Sequence, residues 1–351
     1  MSNTRKIKVG RTFIGGGSPI TVQSMTNTPT LDAAATLAQI RELEAAGCDI
    51  VRIAVSSQDE VEACKNIIGK NSAPLVADIQ FDYRLAVACA DIGFDKIRFN
   101  PGNIGDESKV KLVVDACKRN GVPIRVGVNG GSLDKTIENT ASKAEALVKS
   151  ALKHVSILER YGFYDTVISV KSSDVRTMIE AYEILHRVCD YPLHLGVTES
   201  GTKIRGIVKS SIGIGSLLVD GIGDTIRVSL TGNPVREVEA AKLILSALGL
   251  GRGGVEIVSC PTCSRCRYDM EKVVDEVEKR VGGLNKNVRI AIMGCVVNGP
   301  GEAKDADIAV CGGGDGKAAL YEKGKLVKTI SSDDVVREIL ELIEKLSLIH
   351  I

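Results

Sequence analysis

Between residues 20 and 230, short and almost wholly apolar runs alternate with longer stretches whose apolar positions return every three or four residues. Runs of the first kind suit strands covered on both faces, and the second kind suits amphipathic helices. Strands are predicted at 20–25, 50–55, 75–79, 96–100, 123–129, 166–171, 193–198 and 225–230. Helices are predicted between them, among them 31–46, 58–69, 108–120, 143–161 and 174–188. A last helix, 234–248, has Pro234 just inside its start and Gly249 just past its end, both good boundary signals. Eight strands, each followed by a helix, is the count of a (β/α)8 TIM barrel, an α/β fold. A doubly wound open sheet is the alternative, but regular units favour closure. Gly15-Gly16-Gly17, ahead of the first strand, reads as a turn.

The pattern echoes itself. Gly47-Cys48-Asp49-Ile50-Val51-Arg52, Gly93-Phe94-Asp95-Lys96-Ile97-Arg98 and Gly223-Asp224-Thr225-Ile226-Arg227 share a helix-ending Gly, an Asp close behind, a short strand start and an Arg. The Gly is a left-handed helix cap. The Arg residues fall inside strands, where Val or Ile is the ordinary choice.

Glycine-rich residues 249–254 read as a hinge. The predicted domains are therefore a barrel at 1–248 and an α+β module at 255–351. The module's expected elements are a strand at 255–258, a helix at 270–281, strands at 288–293 and 308–310, a hairpin at 318–321 and 325–330, and a helix at 333–345. The apolar tail 348–351 has no assigned role.

Composition adds little to this reading. The chain has 351 residues, 44% hydrophobic and 25% charged, as in a soluble globular protein. A formal net charge of +1 gives no general reason to expect nucleic acid or an anionic membrane, and 3% aromatics with no Trp leaves few base-stacking platforms. The N-terminus lacks the apolar run of a signal peptide or membrane span, so ten cysteines point to reduced thiols in a cytoplasm. Cys48, Cys64, Cys89, Cys117 and Cys189 sit in apolar surroundings and read as small buried hydrophobes; Cys311 is a spare near Gly312.

In a barrel, the C-terminal ends of the strands carry the active site. There the sequence collects Asp78, Arg98, Asn100, Arg125, Asn129, Lys171, His194, Glu199, Lys203, Arg227 and Ser229, with Arg52 nearby. So many buried cations need anions, and Asp78 and Glu199 are too few. The missing charge is then a ligand's, and a diphosphate suits the Arg forks. Salt bridges to rim acids are the plainer account of some of these Arg residues. Lys171 could instead form a Schiff base, as in aldolase-type barrels. His194 alone is weak evidence, whereas Glu199, at a strand end, could donate a proton to a leaving oxygen.

The module carries Cys260-Pro261-Thr262-Cys263 and, later, Gly294-Cys295-Val296-Val297-Asn298-Gly299-Pro300-Gly301-Glu302. Cys260, Cys263 and Cys295 suit an iron–sulfur cluster, with zinc as the usual rival. Cys266 and Glu302 stand level as the fourth ligand.

Taken in order, several stretches resemble the 4-hydroxy-3-methylbut-2-enyl diphosphate synthase family. They are Ile20-Thr21-Val22-Gln23-Ser24-Met25-Thr26-Asn27-Thr28, Ala77-Asp78-Ile79-Gln80-Phe81, the run from Arg98 to Gly105, His194-Leu195-Gly196-Val197-Thr198-Glu199, Val228-Ser229-Leu230-Thr231 and both cysteine motifs. The resemblance implies a barrel joined to an iron–sulfur domain. It implies reductive opening and dehydration of 2-C-methyl-D-erythritol 2,4-cyclodiphosphate in the methylerythritol phosphate route to isoprenoids, with ferredoxin or flavodoxin as donor. It also implies a [4Fe–4S] cluster on Cys260, Cys263 and Cys295 with Glu302 on the fourth iron, and a homodimer in which the cluster domain faces the partner's barrel. Cys266 departs from the family's pattern. Two rival expectations are a non-redox lyase or aldolase with a structural zinc module, and an iron–sulfur sensor or electron carrier; neither uses both halves of the chain.

Overall fold

The structure is a computed structural model that describes residues 4–104, 106–130, 142–282, 284 and 287–348, the last three by backbone alone. Gly105 of the resembling stretches and tail residues 349–351 lie outside these. The chain divides into two compact units, residues 1–250 and 251–351.

The first unit opens with a two-stranded antiparallel hairpin that the apolar pattern did not disclose, β1 (Ile7–Val9) and β2 (Thr12–Ile14). Ile7, Val9 and Ile14 pack on Ile50, Val76 and Val167 and form an apolar floor under the sheet. Eight parallel strands follow: β3 (Thr21–Met25), β4 (Ile50–Ala54), β5 (Leu75–Asp78), β6 (Lys96–Phe99), β7 (Ile124–Asn129), β8 (Thr166–Lys171), β9 (His194–Leu195) and β10 (Thr225–Ile226). Their order is β8-β7-β6-β5-β4-β3-β10-β9, and a parallel bridge between Ile168 and Leu193 joins the two ends into a ring. This is the barrel that the alternation implied.

Helices α1 (Ala33–Ala45), α2 (Gln58–Lys65), α3 (Tyr83–Ile92), a short α4 (Pro101–Ile104), α5 (Glu107–Asn120), α6 (Lys143–Arg160), α7 (Val175–Val188), α8 (Lys203–Val219) and α9 (Val235–Ala247) connect and follow the strands. Side-chain oxygens of Asp32, Ser57, Asp82, Asp106, Ser142 and Asp174 accept first-turn amides and start six of them.

The internal echo has a structural meaning. Gly47, Gly93 and Gly223 take φ of 91°, 106° and 119°; Gly47 and Gly93 end α1 and α3 as left-handed caps, whereas α8 stops at Val219, Gly221 at φ 73° follows its end, and Gly223 lies in the turn beyond, a correction to the expected cap. The Asp behind each accepts the amide at the start of a neighbouring strand: Asp49 from Val22 at 2.7 Å, Asp95 from Leu75 at 2.8 Å and Asp224 from Leu193 at 2.8 Å. Each repeat thereby pins one strand to the next and fixes its register. The Arg that follows is then carried toward the barrel mouth.

The last two barrel strands are shorter than the apolar runs suggest. Beyond Leu195 the chain makes room for site residues. A Cβ at Gly196 would lie 2.9 Å from Lys171 Nζ and 2.8 Å from the Arg227 carbonyl oxygen.

The second unit is a five-stranded mixed sheet of order β11-β12-β13-β14-β15. Its strands are β11 (Gly254–Ser259), β12 (Asn287–Met293), β13 (Ile308–Gly314), β14 (Lys317–Glu322) and β15 (Lys325–Ser331), the first three parallel and the rest antiparallel. Alternation along β12 and β13 sends Ile290, Ile292, Ile308 and Val310 to a face shared with Val277 of α10 (Met270–Val281) and Ile339 of α12 (Val335–Leu348). Ala291, Met293, Ala309 and Cys311 face the other way, where Ala303 of α11 (Gly299–Lys304) packs.

Candidate functional site

Asp78, the last residue of β5, is the pivot of the barrel mouth. It accepts Arg98 Nη1 at 2.8 Å and lies 3.5 Å from Arg52 Nε. Arg98 also donates to the Gly127 carbonyl at 3.3 Å. Burial raises the Asp78 carboxyl, but Arg52, Arg98 and Arg125 outweigh it and hold the group at about 2. Burial in turn pulls the Arg52 guanidinium down to about 10, with Arg227 and Arg98 pushing the same way. Lys171, at the end of β8, is drawn well below its ordinary value by burial and then by Arg125 and Arg227. Cations from five strands thus share one region, and each makes the others harder to keep charged without a counter-ion.

A carboxylate absent from the sequence reading answers Arg227. Glu237, buried in the first turn of α9, accepts Arg227 Nε at 3.2 Å, Ser24 Oγ at 2.8 Å and the Leu230 amide at 3.0 Å. The expectation that acids here are too few counted Glu199 and not Glu237; Glu199 is exposed. The signal was present, since Glu237 shares the apolar face of its helix with Ala241 and Ile244.

The other predicted residues fall in three places. Asn100 is buried above β6, its Oδ1 without a partner among the described residues, and Asn129 is half-buried at the end of β7. His194 is fully buried. Glu199 and Lys203 are exposed on the segment after β9, outside the buried set. Glu199 takes a left-handed φ of 50°, a strained conformation for a side-chain-bearing residue and one that gathers at functional sites. Its neighbour Ser200 donates its hydroxyl to the Ser229 carbonyl and ties the two strand ends together.

Burial holds His194 well below its ordinary value of 6.5, and Arg125, Lys171 and Lys96 push it the same way. Its folded-state value is depressed, so the unfolded chain binds this proton first as pH falls. Stability should therefore drop below about pH 6.5, by up to about 1.4 kcal/mol per pH unit for this group. Urea titrations from pH 7 to 5 should show that slope weakened in His194→Leu; an unchanged slope would remove the assignment.

In the second unit, Cys260 and Cys295 follow β11 and β12, neighbours paired through Ser259 and Ile292. The Gly294 amide donates to Cys260 Sγ at 3.3 Å, an N–H···S contact of the kind that supports a thiolate. A Cβ on Gly294 would stand 2.6 Å from Cys266 Sγ, so this turn is cut to fit around sulfur. Arg267 donates its amide to the Gly294 carbonyl at 3.0 Å and closes the Cys263–Cys266 loop onto the same turn. Cys263 is exposed, and the Arg265 amide lowers its thiol. Cys266 donates to the Tyr268 carbonyl at 3.2 Å. Cys311 is buried in β13 near Cys295 and Cys260, which with burial raise its thiol to about 11. Glu302 is exposed on α11.

Among the described residues, no three Cys, His, Asp or Glu converge as ligands of one metal ion. Donors that each take a different iron of a cluster need no such convergence. Exposed and half-buried thiols at one end of a parallel sheet, with an amide aimed at sulfur, fit that group. Cys48, Cys64, Cys89 and Cys117 are buried within the first unit, as expected of small hydrophobes, and Cys189 is half-buried.

A parallel barrel with a cationic mouth, followed by a small thiol-bearing domain, defines a two-domain barrel enzyme. The GcpE TIM-barrel domain matches residues 4–242 and the GcpE protein C-terminal domain matches residues 256–345. The chain belongs to the GcpE family. It is 53% identical over 343 residues to the flavodoxin-type 4-hydroxy-3-methylbut-2-en-1-yl diphosphate synthase of Clostridium perfringens, covering 97% of this chain and 98% of that one. It is 54% identical over 345 residues to the synthase of the same name from Caldanaerobacter subterraneus, covering 98% and 97%. The dihydropteroate synthase of Stenotrophomonas maltophilia is similar in structure over 70% of this chain and 98% of its own, with a TM-score of 0.53 at 15% identity. That of Vibrio fischeri gives a TM-score of 0.52 at 14% identity, over 70% and 98%. These two show the barrel fold alone.

Proposed function

We propose that this chain reduces 2-C-methyl-D-erythritol 2,4-cyclodiphosphate to 4-hydroxy-3-methylbut-2-enyl diphosphate, in the cytoplasm, as a step of isoprenoid synthesis, with flavodoxin as electron donor. Relatives matched over nearly full length carry that synthase name with flavodoxin. The observation that carries the reading is the cationic mouth, where Arg52, Arg98, Arg125, Lys171 and Arg227 meet around Asp78. Full-length relatives named as flavodoxin synthases give the aldolase-and-zinc alternative no support, and burial beside Arg already accounts for the lowered Lys171.

The chemistry asks for such a mouth. Two electrons and a proton enter, the ring carbon–oxygen bond breaks, and the neighbouring hydroxyl leaves as water. The ring oxygen departs as a phosphate oxyanion, so the opened diphosphate bears one more negative charge than the ring. Cations already in place stabilise that charge as it develops. Arg52 and Arg98, braced on Asp78, and Arg227, braced on Glu237, grip the phosphate oxygens, with Arg125 and Lys171 adding charge. Asn100, Asn129, Ser229, His194 and Lys203 complete the proposed binding set. Glu199 delivers the proton to the departing hydroxyl. A [4Fe–4S] cluster held by Cys260, Cys263, Cys295 and Glu302 would supply single electrons and Lewis acidity. Steady-state kinetics with reduced flavodoxin test the reading: Glu199→Gln should lower kcat by about 10²–10⁴-fold with little change in KM. Equal loss in both would make Glu199 a binding residue.

A homodimer belongs to the same reading. Ile204, Val208, Ile212 and Val219 form one exposed apolar stripe along α8, longer than isolated surface residues make. Val208→Lys with Ile212→Lys should give a monomer by analytical ultracentrifugation; a persisting dimer would place the interface elsewhere.

A further inference from the structure

We infer that His154 caps the turn after β6 in place of Asn100 and so frees the Asn100 side chain for the substrate, which makes His154 a positioning residue. The inference rests on the proposed reaction only for the identity of that substrate.

The turn starts as a helix ordinarily does. Asn100 precedes Pro101, the first residue of α4, so it stands where a capping residue belongs, and Asn is among the best caps. A capping side chain accepts the amide of the second or third helical residue, here Gly102 or Asn103. Asp32, Ser57, Asp82, Asp106, Ser142 and Asp174 start their helices in that way. At α4 both amides go elsewhere. Gly102 donates to His154 Nδ1 at 3.2 Å, and Asn103 donates to the Asn100 backbone carbonyl at 2.9 Å. Asn100 Oδ1 is left buried, with no partner among the described residues.

Ring and turn fit closely. His154, on α6, is 9% exposed, and a Cβ on Gly102 would stand 2.4 Å from its Cε1. With Nδ1 accepting, the neutral ring carries its proton on Nε2. The turn thus receives its acceptor from a neighbouring helix and spends none of its own side chains.

A buried acceptor without a partner costs about 1–3 kcal/mol. An Asn100 that served the fold alone would turn back onto its own helix start and avoid that cost. Asn100 follows Arg98 by two positions and so shares its side of the strand path, where Arg98 meets Asp78. An acceptor there needs a donor. The ionised phosphates of the cyclodiphosphate offer none, whereas its free hydroxyls do. Asn100 Oδ1 therefore takes a substrate hydroxyl, beside the Arg forks that take phosphate oxygens.

The test is a double-variant cycle on the cluster-loaded protein, read by steady-state kinetics with reduced flavodoxin and by Tm. His154→Leu should raise KM for the cyclodiphosphate about 10-fold with kcat within about twofold, because Asn100 swings back to cap Gly102. For the same reason its Tm should fall by less than about 2 °C. Asn100→Ala should raise KM as much. Joined to His154→Leu it should raise KM no further but lower Tm by about 2–4 °C, since the turn then has no cap. His154→Asn keeps an acceptor at the Nδ1 position and should restore KM, whereas His154→Gln should not. A His154→Leu protein with lowered Tm and unchanged KM would overturn the inference, as would KM effects that multiply in the double variant. If His154→Leu does not fold, equal KM in His154→Asn and His154→Gln would overturn it instead. A parent protein inert toward the cyclodiphosphate would count against the proposed reaction, and Tm across the same variants would still decide which residue caps the turn.

Discussion

Cys295→Ala is expected to purify without the brown absorption of the parent, with little iron, and with its reductase turnover down by about 10³-fold or more, since one of three proposed thiolates is lost while the nearby thiols are committed elsewhere, Cys266 to the Tyr268 carbonyl and Cys311 to the interior of β13. Cys295 follows β12 directly, and its neighbour Gly294 donates to Cys260 Sγ, so the turn serves two of the proposed ligands at once. Two companion variants sharpen the result. Cys266→Ser removes a thiol already bonded to the Tyr268 carbonyl and should keep both colour and iron. Glu302→Ala should keep much of the iron but alter the spectrum. If Cys266→Ser bleaches the protein and Glu302→Ala leaves it untouched, the fourth ligand is Cys266.

The second large effect is at Arg98. Arg98→Met removes a fork that donates to Asp78 at 2.8 Å and is proposed to grip the diphosphate. Losing a charge-assisted phosphate contact and disturbing the remaining set should cost about 3–5 kcal/mol, or about 10²–10⁴-fold in kcat/KM. Asp78 would keep Arg52, at 3.5 Å, and so remain partly compensated. Stability and activity then separate in a double variant. Asp78→Asn with Arg98→Met removes both charges together and should recover stability relative to Asp78→Asn alone, because that single change leaves Arg98 without its counter-charge. It should recover none of the activity. If the double variant works as well as Asp78→Asn, Arg98 serves the fold and not the substrate.

Much of this was legible in the chain, for identifiable reasons. The eight barrel strands declare themselves because strands covered on both faces are continuous apolar runs, and the repeats at Gly47, Gly93 and Gly223 mark where strands begin. What the repeat accomplishes was not legible. That Asp49, Asp95 and Asp224 each cap a neighbouring strand depends on pairings distant in sequence. The hairpin of β1 and β2 was missed because three-residue strands carry too few positions to show a period.

At the mouth, residue type and strand position were enough to select Arg52, Asp78, Arg98, Lys171 and Arg227. Glu237 was missed because helix residues were read as a scaffold and strand ends as the site. His194 was selected from its strand position, and its complete burial was not legible there. The thiol turn was the reverse case. Its spacing alone singled out Cys260, Cys263 and Cys295 as candidates, while the choice between Cys266 and Glu302 depends on the group proposed there.

The proposed reaction requires that the cyclodiphosphate, held by the cationic residues of the barrel, take electrons from the iron that the thiols are proposed to hold. An anaerobic EPR spectrum of the dithionite-reduced protein, before and after the cyclodiphosphate is added, tests it most directly. About four irons per chain are expected, with a cluster signal whose g-values shift on addition and a shift lost in Arg98→Met. A colourless protein holding zinc on Cys260, Cys263 and Cys295, or an iron signal indifferent to the cyclodiphosphate, would contradict it.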